Sequence, residues 1–146
     1  MDAVRILVVD DQEVVRRGIS SLLADEPGMT VVAQATSGTD AVKKAEEHQP
    51  DIVLLDLGIP ELNGLLVTPM IKKVAPRSEV LIVTQYDHPY LANHAFASGA
   101  RGFLSKLDLA EQLIQAVHQV AAKHRFVSRG VKAASVTASV KVEESA

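Results

Sequence analysis

The strongest constraint on the fold is an alternation of short aliphatic runs with segments of helical spacing, repeated five times. Runs that are β-branched and apolar on both faces are typical of strands buried inside a parallel sheet. The candidate strands are Val4–Val9, Met29–Ala35, Ile52–Leu55, Val80–Val83 and Gly102–Leu104. Five strand–helix units of this kind predict an α/β doubly wound fold, with a five-stranded parallel sheet and helices on both faces.

Two of the predicted helices contain or follow a residue that affects helix geometry. Pro69 falls inside the third helical stretch, Leu62–Val74, where the missing N–H predicts a short or bent helix. Asp108 precedes the fifth helix, Leu109–Ala122, as its expected N-cap.

Composition excludes several classes of protein. The 146 residues suit one domain, and 47% of them are hydrophobic, so a full core is within reach. No aliphatic run approaches the ~18 residues of a membrane span, so no membrane contact is expected. The chain has no cysteine, which removes disulfides, thiolate metal sites and cysteine nucleophiles and fits a cytoplasmic protein.

Charge is distributed unevenly along the chain. Residues 1–122 carry six negative charges in excess, whereas residues 123–146 carry three positive charges in excess. An acidic body with 3% aromatic residues does not suit direct binding to nucleic acid. The change in composition predicts a domain over residues 1–122 and a tail or linker over residues 123–146.

Polar residues stand at the ends of four predicted strands. Asp10 and Asp11 follow the first strand, and Asp56 follows the third. Thr84 ends the fourth, and Lys106 lies just past the fifth. Because the carboxyl ends of parallel strands meet at one edge, these five side chains should converge on one crevice.

Three neighbouring carboxylates repel one another unless a cation joins them. An all-oxygen set favours a hard divalent ion such as Mg²⁺, to which Gly58 can add its backbone carbonyl. Lys106 and Thr84 offer a charge and a hydroxyl to phosphate oxygens. The constellation therefore predicts phosphoryl transfer onto a carboxylate, and Asp56 is the best nucleophile candidate.

The chain resembles the receiver domain of two-component response regulators over about residues 4–122. The segments that carry the resemblance are Ile6–Asp11, Asp56–Pro60 with Gly64, Val83–Thr84 and Gly102–Lys106. The resemblance implies a flavodoxin-like sheet of order 2-1-3-4-5.

The same resemblance implies roles for individual residues. Asp56 would accept phosphate from a sensor histidine kinase, and Lys106 and Thr84 would bind the phosphoryl group. Phe103 would be a switch aromatic that moves inward with Thr84. Mg²⁺ would be held by Asp10, Asp11, Asp56 and the Gly58 carbonyl.

Departures from the common receiver pattern favour the NarL/LuxR-type subfamily. Leu107 stands where many receivers have proline, so a trans or reshaped loop is expected after the fifth strand. Gly99–Leu104 and His124–Lys132 also resemble that subfamily, the second as a lead into an output domain absent from this sequence. Gln85 replaces the usual small residue after Thr84, and its bulk is expected to narrow access to the phosphoryl group.

The function expected from these residues is a signalling switch with intrinsic autophosphorylation and autodephosphorylation only, not an enzyme with a free product. Phosphorylation would alter the surface of the fourth helix, fifth strand and fifth helix, and thereby an output such as transcription. The expected partners are a second copy of the chain, bound after phosphorylation, and DNA, contacted through the missing output domain. Two alternatives stay open: a stand-alone or pseudo-receiver binding module, and a Mg-dependent aspartyl-phosphate phosphatase, although Gly58 occupies the place of that family's second aspartate.

Overall fold

The computed structural model describes residues 3–131. A central parallel sheet is connected by helices that alternate with its strands. The strands are β1 (Val4–Val9), β2 (Met29–Ala35), β3 (Ile52–Leu55), β4 (Glu79–Thr84), β5 (Gly102–Ser105) and β6 (Phe126–Val127). The helices are α1 (Glu13–Ala24), α2 (Gly38–His48), α3 (Gly64–Val74), α4 (Pro89–Ala97) and α5 (Leu109–Ala121), with a 3₁₀ turn over Lys106–Asp108.

The sheet order is β2-β1-β3-β4-β5-β6, and every neighbouring pair is parallel. This confirms the α/β flavodoxin-like class. The predicted number of five strands is wrong, because Phe126–Val127 adds a sixth strand beside β5. The Phe126 amide donates to the Arg101 carbonyl at 3.2 Å, and the Ser128 amide donates to the Phe103 carbonyl at 2.9 Å. The start of the expected tail is therefore part of the sheet, and residues 132–146 lie outside the described part of the chain.

Alternating side chains of the buried strands form two apolar layers. Leu7 and Val9 point into the layer covered by α2, α3 and α4, whereas Ile6 and Val8 point into the layer covered by α1 and α5. This two-sided burial explains why the central strands are apolar at nearly every position. It also leaves the sheet's carboxyl edge, where no helix lies across the strands, as the place for polar groups.

Helix α3 runs from Gly64 to Val74 with Pro69 inside it, so the proline does not divide the helix. The expected N-cap of α5 needs correction. Asp108 stands at the N-cap position of α5 but makes no capping hydrogen bond. Its Oδ2 instead accepts a hydrogen bond from the Gly130 amide at 3.2 Å, a contact made only once the chain has passed β6.

An ion cluster closes the amino edge of the sheet around Glu79, the first residue of β4. This buried carboxylate lies 3.0 Å from Arg101 Nε, 3.2 Å from Lys123 Nζ and 3.6 Å from Lys72 Nζ. Burial works to raise the pKa of Glu79, but its hydrogen bonds to Arg101 and Lys123 and the charge of Lys72 hold that pKa below its ordinary value. The cluster ties α3, β4, β5 and the end of α5 together.

Candidate functional site

Three carboxylates gather at the carboxyl edge of the sheet. Asp10 and Asp11 follow β1, and Asp56 follows β3, which is the neighbouring strand. One carboxylate oxygen of each residue lies within 4.8 Å of those of the other two. Asp10 and Asp56 are buried and Asp11 is exposed, so the cluster reaches solvent on the Asp11 side. The structure thus brings the three predicted acids together.

Backbone hydrogen bonds hold the two buried acids in place. The Asp10 amide donates to the Ala35 carbonyl, and the Asp56 amide donates to the Val9 carbonyl, each at 3.1 Å. The Asp10 Oδ1 atom accepts from the Gln12 amide at 2.9 Å, and the Asp56 Oδ1 atom accepts from the Gly58 amide at 3.3 Å. One oxygen of each carboxylate is thereby fixed, and the other is turned toward the cluster.

Lys106 supplies the positive charge of the cluster. It begins the 3₁₀ turn after β5, and its Nζ lies 2.9 Å from Asp10 Oδ2 and 3.5 Å from Asp56 Oδ2. One ammonium facing three carboxylates leaves two negative charges in excess. The site is therefore suited to a further cation.

The electrostatics of the site agree with this imbalance. Burial raises the pKa of Asp56, and the charge of Asp10 adds to the effect, while Lys106 opposes it. Burial works to lower the pKa of Lys106, but its hydrogen bond to Asp10 and the charge of Asp56 raise that pKa above its ordinary value. Lys106 therefore stays charged, and its surroundings make ionisation of Asp56 less favourable than it is in water.

Thr84 and Phe103 are buried and do not line the open cleft. Thr84 is the last residue of β4, is fully buried, and its Oγ1 accepts a hydrogen bond from the Tyr86 amide at 3.0 Å. Its hydroxyl proton is left for another acceptor. Phe103, on β5, is fully buried in the same apolar layer as Val131.

A cleft of about 210 Å³ opens above the acids. Its lining residues are Asp11, Gln12, Asp56, Gly58, Gln85, Tyr86 and Lys106. Gln12 and Tyr86 were missed by the sequence analysis, although each follows a predicted site residue within two positions. A side-chain carbon at Gly58 would lie 3.2 Å from Tyr86 Cε2, so the tyrosine ring closes over this glycine.

The loop after β5 has the reshaped form expected without a proline. Residues 106–108 form the 3₁₀ turn, and every peptide bond in residues 3–131 is trans. The Leu107 amide donates to Ser105 Oγ at 3.2 Å, which fixes the start of the turn. Leu107 itself is 87% exposed at the rim of the site.

The loop between β3 and α3, which begins with Asp56, packs tightly against two glycines. A side-chain carbon at Gly64 would lie 2.9 Å from the Asp56 carbonyl oxygen. A side-chain carbon at Gly38 would overlap the Leu62 carbonyl oxygen on the other side of the loop. Both contacts are closer than carbon atoms tolerate, so the loop's position depends on these glycines.

The donor set fits a hard divalent cation. The three carboxylates offer oxygen atoms only, within a span that one ion can bridge, and an exposed member leaves room for water ligands. Soft metals are disfavoured because neither cysteine nor histidine belongs to the cluster.

Fold and site together define a receiver of the two-component type, and residues 6–118 match the family model described as "Response regulator receiver domain". The chain belongs to this family. Receivers of response regulators act as signalling switches rather than as classical enzymes.

Similar proteins place the chain near NarL- and LuxR-type regulators. It is 38% identical to "Response regulator GacA" of Pseudomonas aeruginosa over 125 residues, covering 86% of this chain and 58% of that protein. It is 40% identical to "Oxygen regulatory protein NreC" of Staphylococcus epidermidis over 117 residues, covering 80% of this chain and 54% of that protein. The chain thus spans little more than half the length of these relatives.

Solved structures give the same placement. A LuxR-family two-component response regulator from Aurantimonas superposes with a TM-score of 0.91 at 32% identity, covering 95% of this chain and 99% of the other. The receiver domain of the response regulator NarL from Mycobacterium tuberculosis gives 0.79 at 30% identity, covering 84% and 98% of the two chains.

Within residues 3–131, none of the helices is both long and apolar enough to cross a membrane.

Proposed function

We propose that this receiver takes a phosphoryl group from a sensor histidine kinase onto Asp56. The observation that carries the proposal is the convergence of Asp10, Asp11, Asp56 and Lys106 at the edge of one cleft. Oδ1 of Asp56 is bound by the Gly58 amide, so Oδ2, which faces Lys106, is the oxygen that attacks.

Asp10, Asp11, Asp56 and the Gly58 carbonyl are the proposed ligands of Mg²⁺. When bound there, the ion neutralises charge that develops on the transferred phosphoryl group. The negative excess of the cluster supports a divalent cation rather than a monovalent one. Gly58 lines the cleft, which supports its part as a carbonyl ligand.

The transfer needs little from the protein besides position and charge. The Asp56 oxygen forms a bond to phosphorus as the phosphorus–nitrogen bond of the phosphohistidine breaks, and the electron pair leaves with the imidazole. Lys106 Nζ, already 3.5 Å from Asp56 Oδ2, pairs with one phosphoryl oxygen. The Thr84 hydroxyl donates a hydrogen bond to a second phosphoryl oxygen.

The phosphoryl dianion then changes the surface formed by α4, β5 and α5. It places a dianion beside Thr84 where Asp56 carried a single negative charge, which biases the β4–α4 loop and the buried Phe103 toward a second arrangement. Relatives named as response regulators support an output such as transcription, exerted through a DNA-binding domain beyond this sequence and through a phosphorylation-driven homodimer. A cytoplasmic location follows from the same proposal.

We also place the end of the receiver later than residue 122. Phe126 and Ser128 are buried, and Val131 is buried in the core layer of Phe103. The stretch up to residue 131 therefore belongs to the folded unit.

Intact-mass spectrometry after incubation with acetyl phosphate and Mg²⁺ tests the proposal. The wild-type chain should gain one phosphoryl group, and Asp56→Asn should gain none because the amide is not a nucleophile. Asp25→Asn, an exposed acid at the end of α1, is the matched control and should gain the group as the wild type does. A wild-type chain that stays unmodified would identify a pseudo-receiver, and steady hydrolysis of a phosphomonoester would identify the phosphatase alternative.

Gln85 lines the mouth of the cleft, where we propose that it restricts water. Removing its amide side chain in Gln85→Ala should admit water to the cleft and shorten the phosphorylated lifetime. Decay of the phosphorylated mass over time measures this, and an unchanged lifetime would remove Gln85 from the mechanism.

A further inference from the structure

The segment of residues 124–131, here called the arm, is held to the receiver by specific polar contacts. The Arg129 amide donates to Gln112 Oε1 at 2.7 Å, and the Gly130 amide donates to Asp108 Oδ2 at 3.2 Å. Both partners stand at the start of α5. Backbone amides bound by side chains in this way indicate a docked segment rather than a loose one.

Ser128 is the buried centre of the arm. Its amide donates to the carbonyl of Phe103, and its Oγ accepts from the Ser105 amide at 3.0 Å. Both bonds reach β5, on either side of Leu104. The hydroxyl therefore takes the place of a backbone acceptor where the two-residue strand β6 has ended.

Ser105 extends this contact toward the β4–α4 loop. Its Oγ donates to Asp87 Oδ2 at 2.9 Å, so one residue binds the arm through its amide and the loop through its hydroxyl. The Tyr86 amide, one residue before Asp87, donates to Thr84 Oγ1 at 3.0 Å. Three hydrogen bonds, linked through the Tyr86–Asp87 peptide bond and through Ser105, thus connect Thr84 at the end of β4 to Ser128 in the arm.

A second contact ties the arm to the far end of α4. The guanidinium carbon of Arg125 lies 4.2 Å from the centre of the Phe96 ring, in cation–π geometry. Asp87 precedes α4 and Phe96 is its penultimate residue, so the arm is attached near both ends of this helix. A shift of α4 against β5 therefore has to disturb either the Asp87–Ser105 hydrogen bond or the Arg125–Phe96 contact.

We propose that the arm is the element through which this receiver reports phosphorylation, and that the line Thr84–Tyr86–Asp87–Ser105–Ser128 carries the change. The inference rests on the proposed function of Asp56. A phosphoryl dianion draws the Thr84 hydroxyl toward it, because charge-assisted hydrogen bonds are stronger than neutral ones. The Tyr86 amide then loses its present geometry, Asp87 leaves Ser105, and the hold of Ser105 on Ser128 weakens.

Hydrogen–deuterium exchange of the full chain, with and without acetyl phosphate and Mg²⁺, tests the inference. In the wild type, phosphorylation should speed exchange of the Ser105 and Ser128 amides roughly threefold to tenfold, the range expected when one hydrogen bond is lost. Intact mass is recorded on the same samples. A phosphorylated chain with unchanged exchange at both amides overturns the inference and leaves the proposed function standing, whereas a missing phosphoryl group overturns both.

Ser128→Ala removes the acceptor of the Ser105 amide directly. Exchange of that amide should be fast before phosphorylation and should change little after it, while the gain of one phosphoryl group is retained. Ser20→Ala is the matched control, because the Ser20 hydroxyl is buried in α1 and finds no hydrogen-bond partner among residues 3–131. It should keep the full wild-type response.

Asp87 variants separate signal transmission from simple loosening of the arm. Asp87→Ala removes the acceptor of the Ser105 hydroxyl but leaves the hydrogen bond between Ser105 and Ser128. The arm should therefore stay protected from exchange with and without phosphorylation. Asp87→Asn keeps an oxygen acceptor for the Ser105 hydroxyl and should restore the response. An Asp87→Ala chain whose arm still responds to phosphorylation as the wild type does would overturn the proposed line.

Discussion

The two edges of the sheet carry the same kinds of group in opposite proportions. At the carboxyl edge, three carboxylates share Lys106. At the amino edge, roughly 17 Å away along β4, the single carboxylate of Glu79 is shared by Lys72, Arg101 and Lys123. The cluster around Lys106 has two negative charges in excess, and the cluster around Glu79 has two positive charges in excess.

The two buried carboxylates respond in opposite directions. Burial raises the pKa of Asp56 because one lysine does not offset desolvation and the neighbouring charge of Asp10. Burial acts on Glu79 as well, but the hydrogen bonds to Arg101 and Lys123 outweigh it and lower that pKa. The comparison shows that the fold itself supplies the counter-charges of the buried carboxylate Glu79, whereas the carboxylates at the other edge are left with negative charge for a ligand.

The largest expected effect comes from removing the charge of Glu79. Glu79→Gln leaves three cations close together and should lower the free energy of unfolding by about 2 kcal/mol, less than the roughly 3–5 kcal/mol of a fully buried pair, because the cations still reach water. The matching substitution at the other edge, Asp56→Asn, should raise the free energy of unfolding in metal-free buffer by roughly 0.5 kcal/mol, because it relieves a costly charge. Urea unfolding measures both.

The pH dependence of the stability difference between wild type and Glu79→Gln is a further check. A carboxylate whose folded pKa is lowered stabilises the fold above its unfolded pKa and loses that effect as pH falls through the folded value. The difference between wild type and Glu79→Gln should therefore shrink in acid. Glu13→Gln, in an ion pair with Arg17 whose side chains are 66% and 78% exposed, is the control and should cost no more than about 0.5 kcal/mol. Equal losses at Glu79 and Glu13 would contradict the comparison.

A smaller effect is expected from adding the missing charge at the carboxyl edge. Mg²⁺ at ten times its Kd should stabilise the wild-type fold by about 1.4 kcal/mol through mass action. Asp11→Asn should lose most of this gain, because Asp11 is the exposed member of the cluster and its substitution disturbs no buried contact. Thermal unfolding with and without Mg²⁺ measures the gain. Equal stabilisation of Asp11→Asn and wild type would mean that the ion binds elsewhere.

Much of the carboxyl edge was predictable because strand patterns fix where side chains emerge. Aliphatic runs locate β1, β3 and β4, and parallel strands carry the residues that follow them to one edge. Asp10, Asp11, Asp56 and Lys106 therefore could be brought together without coordinates. The sequence could not show that Tyr86 closes over Gly58, since this contact depends on the path of the β4–α4 loop.

The amino edge and β6 were missed for a different reason. Lys72, Arg101 and Lys123 are far apart in sequence, and no local pattern indicates that they share one carboxylate. The two-residue strand β6 has no aliphatic run, and the residues that follow it are held by hydrogen bonds to Ser105, Gln112 and Asp108. Such elements are determined by tertiary contacts rather than by local pattern.

The tight packing at Gly38 and Gly64 has a consequence for how this receiver tolerates mutation. A single methyl group at either position would push against the loop between β3 and α3 and displace Asp56. Every functional group in the cleft would stay chemically intact. Such a variant could lose signalling although none of the side chains that line the cleft had been substituted. The position of Asp56 thus depends on the absence of a side-chain carbon at Gly38 and Gly64.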